Sequence, residues 1–447
     1  MLKYKRACFI VSFIIRIING YQNGPPCSFS AEQKVQIMKR KKSTPCGPLN
    51  EIRILDLTRL YPGPLGAMLL ADMGADVIKI EDIKSPDYMR FYPPYLSSES
   101  AGFLAVNRSK RSIALDLGKK KGRDVFFSLL KTADIVMEQF RPGILDKMGL
   151  GYLKARKIKR DIIYISITGY GQSGPYAAQA GHDINYIGYA GILAATGSQD
   201  KGPSIPGVQI ADVAGGAYMT VIACLAALWA RERTGKGQKA DVSMLDAILP
   251  LMTLQMAHYQ AAGIVPQAGQ AALSGGLACY NVYQCADGKH VALGALEEKF
   301  WRNFCGLMQR PQWLDKQFVV GKEADDLRQE IAALFHAKKR EGWLSLAKGK
   351  DVCLTPVLEI HEMENDPQIK KRGMIVTQKH PQCGKIKGFG VPLKFSATPA
   401  TPSQPAPALG KHTAEIMKEI GYGQKDINNL KKECVIFLAE KQQKKSA

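Results

Sequence analysis

The chain lacks every paired-cysteine signature: its ten cysteines are scattered from Cys8 to Cys434, with no Cys-x-x-Cys pair and no Cys/His spacing suited to a metal. That absence argues against a metal site or a disulfide scaffold, and it predicts free thiols in a reducing compartment, the cytoplasm. The first strand–loop–helix pattern has no GxGxxG, which disfavours NAD. Acidic residues are scarce beside basic ones, 40 against 61, which leaves a net charge of +21. No stripe of interleaved basic and aromatic residues accompanies the excess, so nucleic acid is not the expected partner. Part of the charge sits at Lys39, Arg40, Lys41 and Lys42 and at Lys441, Lys444 and Lys445, where solvated tails are expected. The remainder favours an anionic partner, foremost a phosphorylated small molecule.

What is present is ordinary globular material. A hydrophobic fraction of 46% and a charged fraction of 23% over 447 residues suit more than one structural unit. Residues 7–18 are apolar except for Ser12 and Arg16 and follow Lys3, Lys5 and Arg6, the order of a signal peptide's first two regions. No small-residue cleavage site follows, and the stretch is short for a membrane span. Residues 1–46 are therefore expected to be an extension, disordered or non-native, with the working start at Met38.

Regular patterning begins at Glu51. IRILDL reads as a buried strand, a loop runs through Pro62, Gly63 and Pro64, LGAMLLADMG reads as a helix ending at Gly74, and DVIKIE is a second strand. Glu81 ends that strand where a dinucleotide enzyme holds ribose, although a solvated strand end explains it equally well. SIALDL (112–117), a helix over 121–132, DIVMEQ (134–139) and IIYISITGYG (162–171) continue the alternation, which predicts a doubly wound parallel α/β sheet. Residues 213–230 carry no charge, and the small Gly215 and Gly216 favour a helix buried in protein over a membrane span. KADVSML then resumes as a strand, followed by helix over 246–262 and a glycine-rich patch at 274–276. CYNVYQC and HVALGAL, joined by ADGK, read as a hairpin. The expected organisation is 47–235 as the N-terminal part of a large domain, 236–279 as linker helices and 280–374 as a smaller α+β domain. Residues 375–447 are a linker and return, with KFSA as a strand, a stiff proline-rich connection over 399–407 and helices near 413–420 and 426–433.

Three regions are candidates for chemistry. His182 and Asp183 follow Gly181, which lets backbone approach a ligand closely. The bland alternative is that Asp183 caps a helix over 184–193 and His182 is a satisfied loop histidine. Asp212 stands where an N-cap belongs. LGALEEKFW ends a strand in Glu297 and Glu298, where a carboxylate would orient a histidine or form a surface pair.

The stretches YPGPLGAMLLADMGADVIKIE, NRSKRSIALDL, FRPGILDKMGLG, TGYGQSGPY, AGHDINY, RTGKGQKADVSM and LGKHTAEIMKEIG occur in this order. From about Pro48 onward the chain resembles the class III CoA-transferase (CaiB/BaiF) family, and GHDINY is similar to its alpha-methylacyl-CoA racemase branch. The resemblance implies a Rossmann-like large domain built from both chain ends, a small domain, an interlocked homodimer, and coenzyme A as part of the substrate with no prosthetic group. It implies His182 and Asp212 as proton-transfer residues, with Glu297 supporting the histidine. In a transferase it implies Asp183 as the nucleophile. Contacts to CoA are implied at Leu115, Asp116 and Leu117, at Arg141 and at Gly143, Ile144, Leu145, Asp146 and Lys147. Gly181, Ile184, Asn185 and Tyr186 complete the site. The chain departs from the pattern at Asp82, where an arginine is usual, at Ala211–Ala214 in place of GDFGG, and at Glu298 in place of proline.

The chemistry fits these residue types. Inverting a carbon beside a thioester removes its proton on one face and returns one on the other. A neutral imidazole and a carboxyl protonated part of the time supply the two bases. The enolate oxygen calls for N–H donors, for which the helix start at Asp212 is a candidate. A transferase needs a carboxylate but no histidine. A non-catalytic basic protein binding nucleic acid or a membrane rests only on the charged tails.

Overall fold

Runs of β-branched and apolar residues recur with room for one helix between them, and they fold into a sheet covered on both faces. The computed structural model describes residues 47–439, so the extension and the start at Met38 lie outside the described residues. The elements are β1 (Arg53–Asp56), α1 (Pro62–Asp72), β2 (Asp76–Glu81), β3 (Arg111–Leu115), α2 (Lys120–Leu130), β4 (Ile135–Glu138) and β5 (Ile163–Thr168). They continue with α3 (Asp183–Tyr189), a π-helical segment Ala211–Tyr218 running into α4 (Met219–Thr234), β6 (Lys239–Ser243) and α5 (Met244–Ile248). The sheet order is β6–β5–β4–β1–β2–β3, with those strands parallel. This is the order of nucleotide-binding doubly wound sheets, whose ligands sit where the order reverses, beyond the carboxyl ends of β1 and β4.

Alternation along each strand builds two cores. Ile54, Val77, Ile135, Met137, Ile163, Ile165 and Ile167 face α1 and α4, meeting Ala67, Leu70, Cys224 and Ala227. Leu55, Ile78, Ile113 and Val136 face the other way, onto Val125, Phe126 and Leu129 of α2. Both strand faces are buried, as near-continuous apolar runs in a parallel sheet require.

The chain's end closes the sheet. α9 (Thr413–Glu419) and α10 (Gln424–Lys432) lie where short helices were expected, and β12 (Ile436–Phe437) pairs antiparallel with β3. Arg53 and Arg111 both bind Asp76 and Glu419, tying β1, β2 and β3 to α9. Removing the shared anion leaves two guanidinium groups under-paired. Asp76→Ala is therefore expected to cost about 1.5–3 kcal/mol, read from urea unfolding.

Beyond α5 a second core forms. β7 (Tyr280–Gln284), β8 (His290–Gly294) and β9 (Leu354–Val357) make an antiparallel sheet, with the expected hairpin as its first two strands. α6 (Glu298–Leu307), α7 (Lys322–His336) and α8 (Arg340–Ala347) cover it with Trp301, Phe304, Phe335 and Trp343.

Three expectations need correction. KFSA is not a strand. The pairing in that region is a separate hairpin, β10 (Ile375–His380) with β11 (Gly384–Phe389), whose polar, lysine-rich strands hide their alternation. The proline-rich connection runs along the large domain: Gln404 and Ser403 bond to Ser109 and Lys110, and Ala406 packs on Phe103. The charge-free helix is not buried all round, since Thr220, Cys224 and Ala227 face inward whereas Ile222, Leu225 and Trp229 are exposed. Glu81 is not a solvated strand end. It is buried, paired with Arg90, and held below its ordinary pKa by that guanidinium against the opposing effect of burial.

Candidate active site

The site assembles around Asp183, but not as a cap on its own helix. α3 begins at Asp183 with His182 as its N-cap residue, whose backbone N–H donates to Asn185 Oδ1 at 3.0 Å. Asp183 Oδ1 instead accepts from the backbone N–H groups of Ala211, at 2.6 Å, and Asp212, at 3.0 Å. It thus caps the π-helical segment 28 residues away and fixes the start of one helix beside the other. Val213 N–H is taken by Gln209 O. The three N–H groups at this helix start are occupied, so they are not the enolate-binding donors expected from the sequence.

Among the described residues, no hydrogen bond or ion pair engages the Asp212 side chain. Burial and the like charge of Asp183 push its carboxyl up to about 6, against the opposing influence of His182. Imidazole and carboxyl therefore act on each other within one electrostatic neighbourhood. Close packing permits the approach: a β-carbon on Gly215 would lie 2.6 Å from Met244 O, and one on Gly216 would lie 2.4 Å from the Pro62 side chain. The π-helical turn is where the α1 start, α5 and Asp212 converge, a setting such turns often occupy.

Tyrosines wall the site. Tyr186 donates to Gly181 O at 2.5 Å, and its ring meets Tyr170 edge-on at 5.1 Å between centroids. Tyr170 also contacts Tyr176 and Tyr189. Gly181 is required by this approach, because a β-carbon there would stand 2.7 Å from the Tyr186 ring. Ile184 is partly exposed on the same helix.

Other expected residues lie elsewhere. Glu297 is the N-cap residue of α6 and acts electrostatically on Cys353; among the described residues no hydrogen bond or ion pair joins it to His182. Leu115 and Leu117 are buried in the core, while Asp116 accepts from Gly118 N–H and lies 3.6 Å from Lys84. Arg141, Gly143, Leu145 and Asp146 line a cavity with buried Glu138 and Ser166. Ile144 is exposed, and Lys147 ends the short helix Ile144–Lys147. The β3 and β4 ends are three strand spacings apart, about 14 Å, so the two proposed CoA stretches flank the reversal point of the sheet. Asp82 accepts from Lys84 and Ser85 N–H and shapes its own turn.

Sequence reasoning passed over two residues beside that reversal point. Arg59 stacks its guanidinium on Phe140, 5.3 Å from the ring centre. Tyr61 opens α1 close enough to Asp212 for the carboxylate to raise its phenol pKa, after the larger effect of burial. The available signal was an aromatic and a cation in the Pro/Gly loop after β1.

The sequence profile of CoA-transferase family III matches residues 49–413. The chain belongs to that family. It is 33% identical over 379 residues to succinyl-CoA:glutarate CoA-transferase of Mus musculus, covering 83% of this chain and 86% of the transferase. It is 32% identical over 391 residues to alpha-methylacyl-CoA racemase of Homo sapiens, covering 87% and 97%. Among solved structures, a CaiB/BaiF family protein from Brucella suis superposes with a TM-score of 0.74 at 32% identity, covering 84% of this chain and all of that one. Transferases and racemases thus both stand among the relatives of this family III enzyme.

Proposed function

We propose that the chain is a 2-methylacyl-CoA racemase in which His182 and Asp212 exchange protons with opposite faces of the substrate's α-carbon. The observation that carries this reading is the pairing of an imidazole with a carboxyl whose pKa is pushed up to about 6. In one direction the C–H bond breaks, its proton passes to His182, the electron pair moves to the thioester oxygen, and Asp212 returns a proton on the other face. In the reverse direction the roles exchange. One proton on the pair is the active state in both directions, so the rate should follow a bell-shaped pH profile. The substrate is an acyl-CoA thioester, its phosphates met by Arg141, Lys147 and neighbouring cations. A second copy of the chain is proposed to cover the exposed face of Ile222, Leu225 and Trp229, and Glu297 would meet an imidazole only across such a pairing. The reading places the enzyme in the cytoplasm.

Transfer of CoA between carboxylic acids is the second reading, favoured by the transferases among the relatives. Its nucleophile would be Asp183, whose Oδ1 is held by two backbone N–H groups while its other carboxylate oxygen is left to attack the thioester. Asp183→Asn separates the roles: it keeps the accepting oxygen and removes the negative charge that raises the Asp212 pKa. The acid limb of the pH profile is expected to move to lower pH with activity retained. Loss of activity at every pH would make Asp183 itself a reacting group.

To choose between the readings, one stereoisomer of a 2-methylacyl-CoA is incubated in deuterated water, with and without a free carboxylate acceptor. Deuterium at the α-carbon with loss of optical purity is expected. A new acyl-CoA without exchange would establish transfer instead.

A further inference from the structure

From residue 367 to residue 414 the sequence holds eight lysines and arginines and no aspartate or glutamate. Seven of the eight fall between Lys370 and Lys394, on and around the β10–β11 hairpin. Strand register decides where they point. The cross-strand pairs Ile375 with Phe389, Thr377 with Lys387 and Lys379 with Lys385 share one face, and Val376, Gln378, His380, Ile386 and Gly388 share the other. The second face is fixed to the large domain. Ile386 packs with Phe103, Leu104 and Ala406, Cys383 Sγ donates to Leu96 O at 3.0 Å, and a β-carbon on Gly388 would stand 3.3 Å from the Arg108 guanidinium. The lysine face is therefore turned outward, and Thr377, Lys379, Lys385, Lys387 and Phe389 are all exposed.

Within the chain this charge goes largely unanswered. Lys379 and Lys385 stand directly opposite each other, where like charges repel. Lys387 pairs with Glu364 at 2.5 Å, but among the described residues Lys371, Arg372, Lys379, Lys385 and Lys394 join no ion pair. The acidic residues just before the segment are spent elsewhere: Glu362 pairs with Arg340 and Lys289, and Asp366 accepts from Ile369 N–H. Apolar side chains stand exposed among the cations, namely Phe389, Leu393 and Phe395.

We propose that the outward face of β10–β11, with the flanking Lys371, Arg372 and Lys394, is a docking surface for an anionic membrane. Its charge complements a surface of anionic headgroups, which also relieves the repulsion between Lys379 and Lys385. The ammonium groups reach the headgroups while Phe389, Leu393 and Phe395 enter the boundary beneath them. Six of the seven cations are lysines, point charges that bind headgroups without a demand on shape, rather than the forked arginines that read base edges. The surface adds to the racemase reading and does not rest on it.

The test sediments the full chain with vesicles made of equal parts phosphatidylserine and phosphatidylcholine, and with vesicles of phosphatidylcholine alone. Binding to the first and not to the second is expected, weakening as salt is raised. Lys379→Gln combined with Lys385→Gln is expected to lower the partition coefficient by about 25-fold, since one lysine near an anionic surface strengthens binding about fivefold. Lys379→Arg with Lys385→Arg keeps the charge and the binding. Removing a like-charge pair leaves the glutamine variant melting no lower than the wild type, which separates lost docking from lost folding. Lys371→Gln with Lys394→Gln, outside the strands, is expected to act in the same direction. Wild-type binding that is absent or indifferent to lipid charge overturns the proposal, as do glutamine variants that bind vesicles like the wild type. Variants that keep vesicle binding but lose affinity for duplex DNA would assign the face to nucleic acid instead. The readout needs no turnover, so it stands apart from any failure of the racemase reading.

Discussion

His182→Ala is expected to lower the rate of racemisation by about 10²–10⁴-fold while leaving the folded state intact, as judged by circular dichroism and thermal unfolding. The size follows from the role, since without the imidazole no group on that side of the substrate accepts or returns the α-proton. The small effect on folding follows from position. His182 is an exposed N-cap residue whose backbone N–H donates to Asn185 Oδ1, a bond that the alanine keeps. The measurement is loss of optical purity of a single stereoisomer. A His182→Ala enzyme racemising at the wild-type rate would remove the imidazole from the reaction.

Asp212→Asn is expected to be as inactive as His182→Ala and, above pH 6, more stable than the wild type. The ordinary carboxyl pKa of 3.8 is raised to about 6 in the folded protein, so the ionised form is the disfavoured one. The sign then follows from proton linkage. Below about pH 4 the group is protonated whether folded or not and costs nothing. The penalty grows between about pH 4 and 6 and is complete above that. A shift of about two units corresponds to nearly 3 kcal/mol, and partial exposure with solvent screening reduces the expected gain to about 1–2 kcal/mol. Urea unfolding at pH 4 and pH 7.5 checks this, with a gain confined to the higher pH. Equal stabilities at both would mean that Asp212 is not held at a cost for its chemistry.

These expectations show where sequence patterning carries information and where it stops. The six parallel strands, α1, α2 and the two terminal helices are legible because each is a local periodicity flanked by Gly or Pro, and a parallel sheet demands apolar runs. The β10–β11 hairpin is not legible, since Lys379, Lys385 and Lys387 interrupt its alternation. The charge-free run is readable as a helix, but which of its faces is covered depends on strands far away in sequence.

The candidate site divides in the same way. GHDINY and Asp212 stand out as residue types, and the structure brings them together. The capping alternative for Asp183 fails because Asp at a helix start fits local capping, whereas its carboxylate spans 28 residues to another helix. Tyr61 was missed because prolines and glycine mark its segment as a loop.

Two bases on opposite faces make a claim sharper than activity alone. Each stereoisomer of a 2-methylacyl-CoA is to be incubated separately in deuterated water with His182→Ala and with Asp212→Asn, and deuterium at the α-carbon is followed by mass spectrometry. Each variant should retain exchange with one stereoisomer and lose it with the other, and the two variants should lose opposite ones. If both variants lose exchange with the same stereoisomer, or either exchanges both equally, a single group serves both faces and the account is wrong.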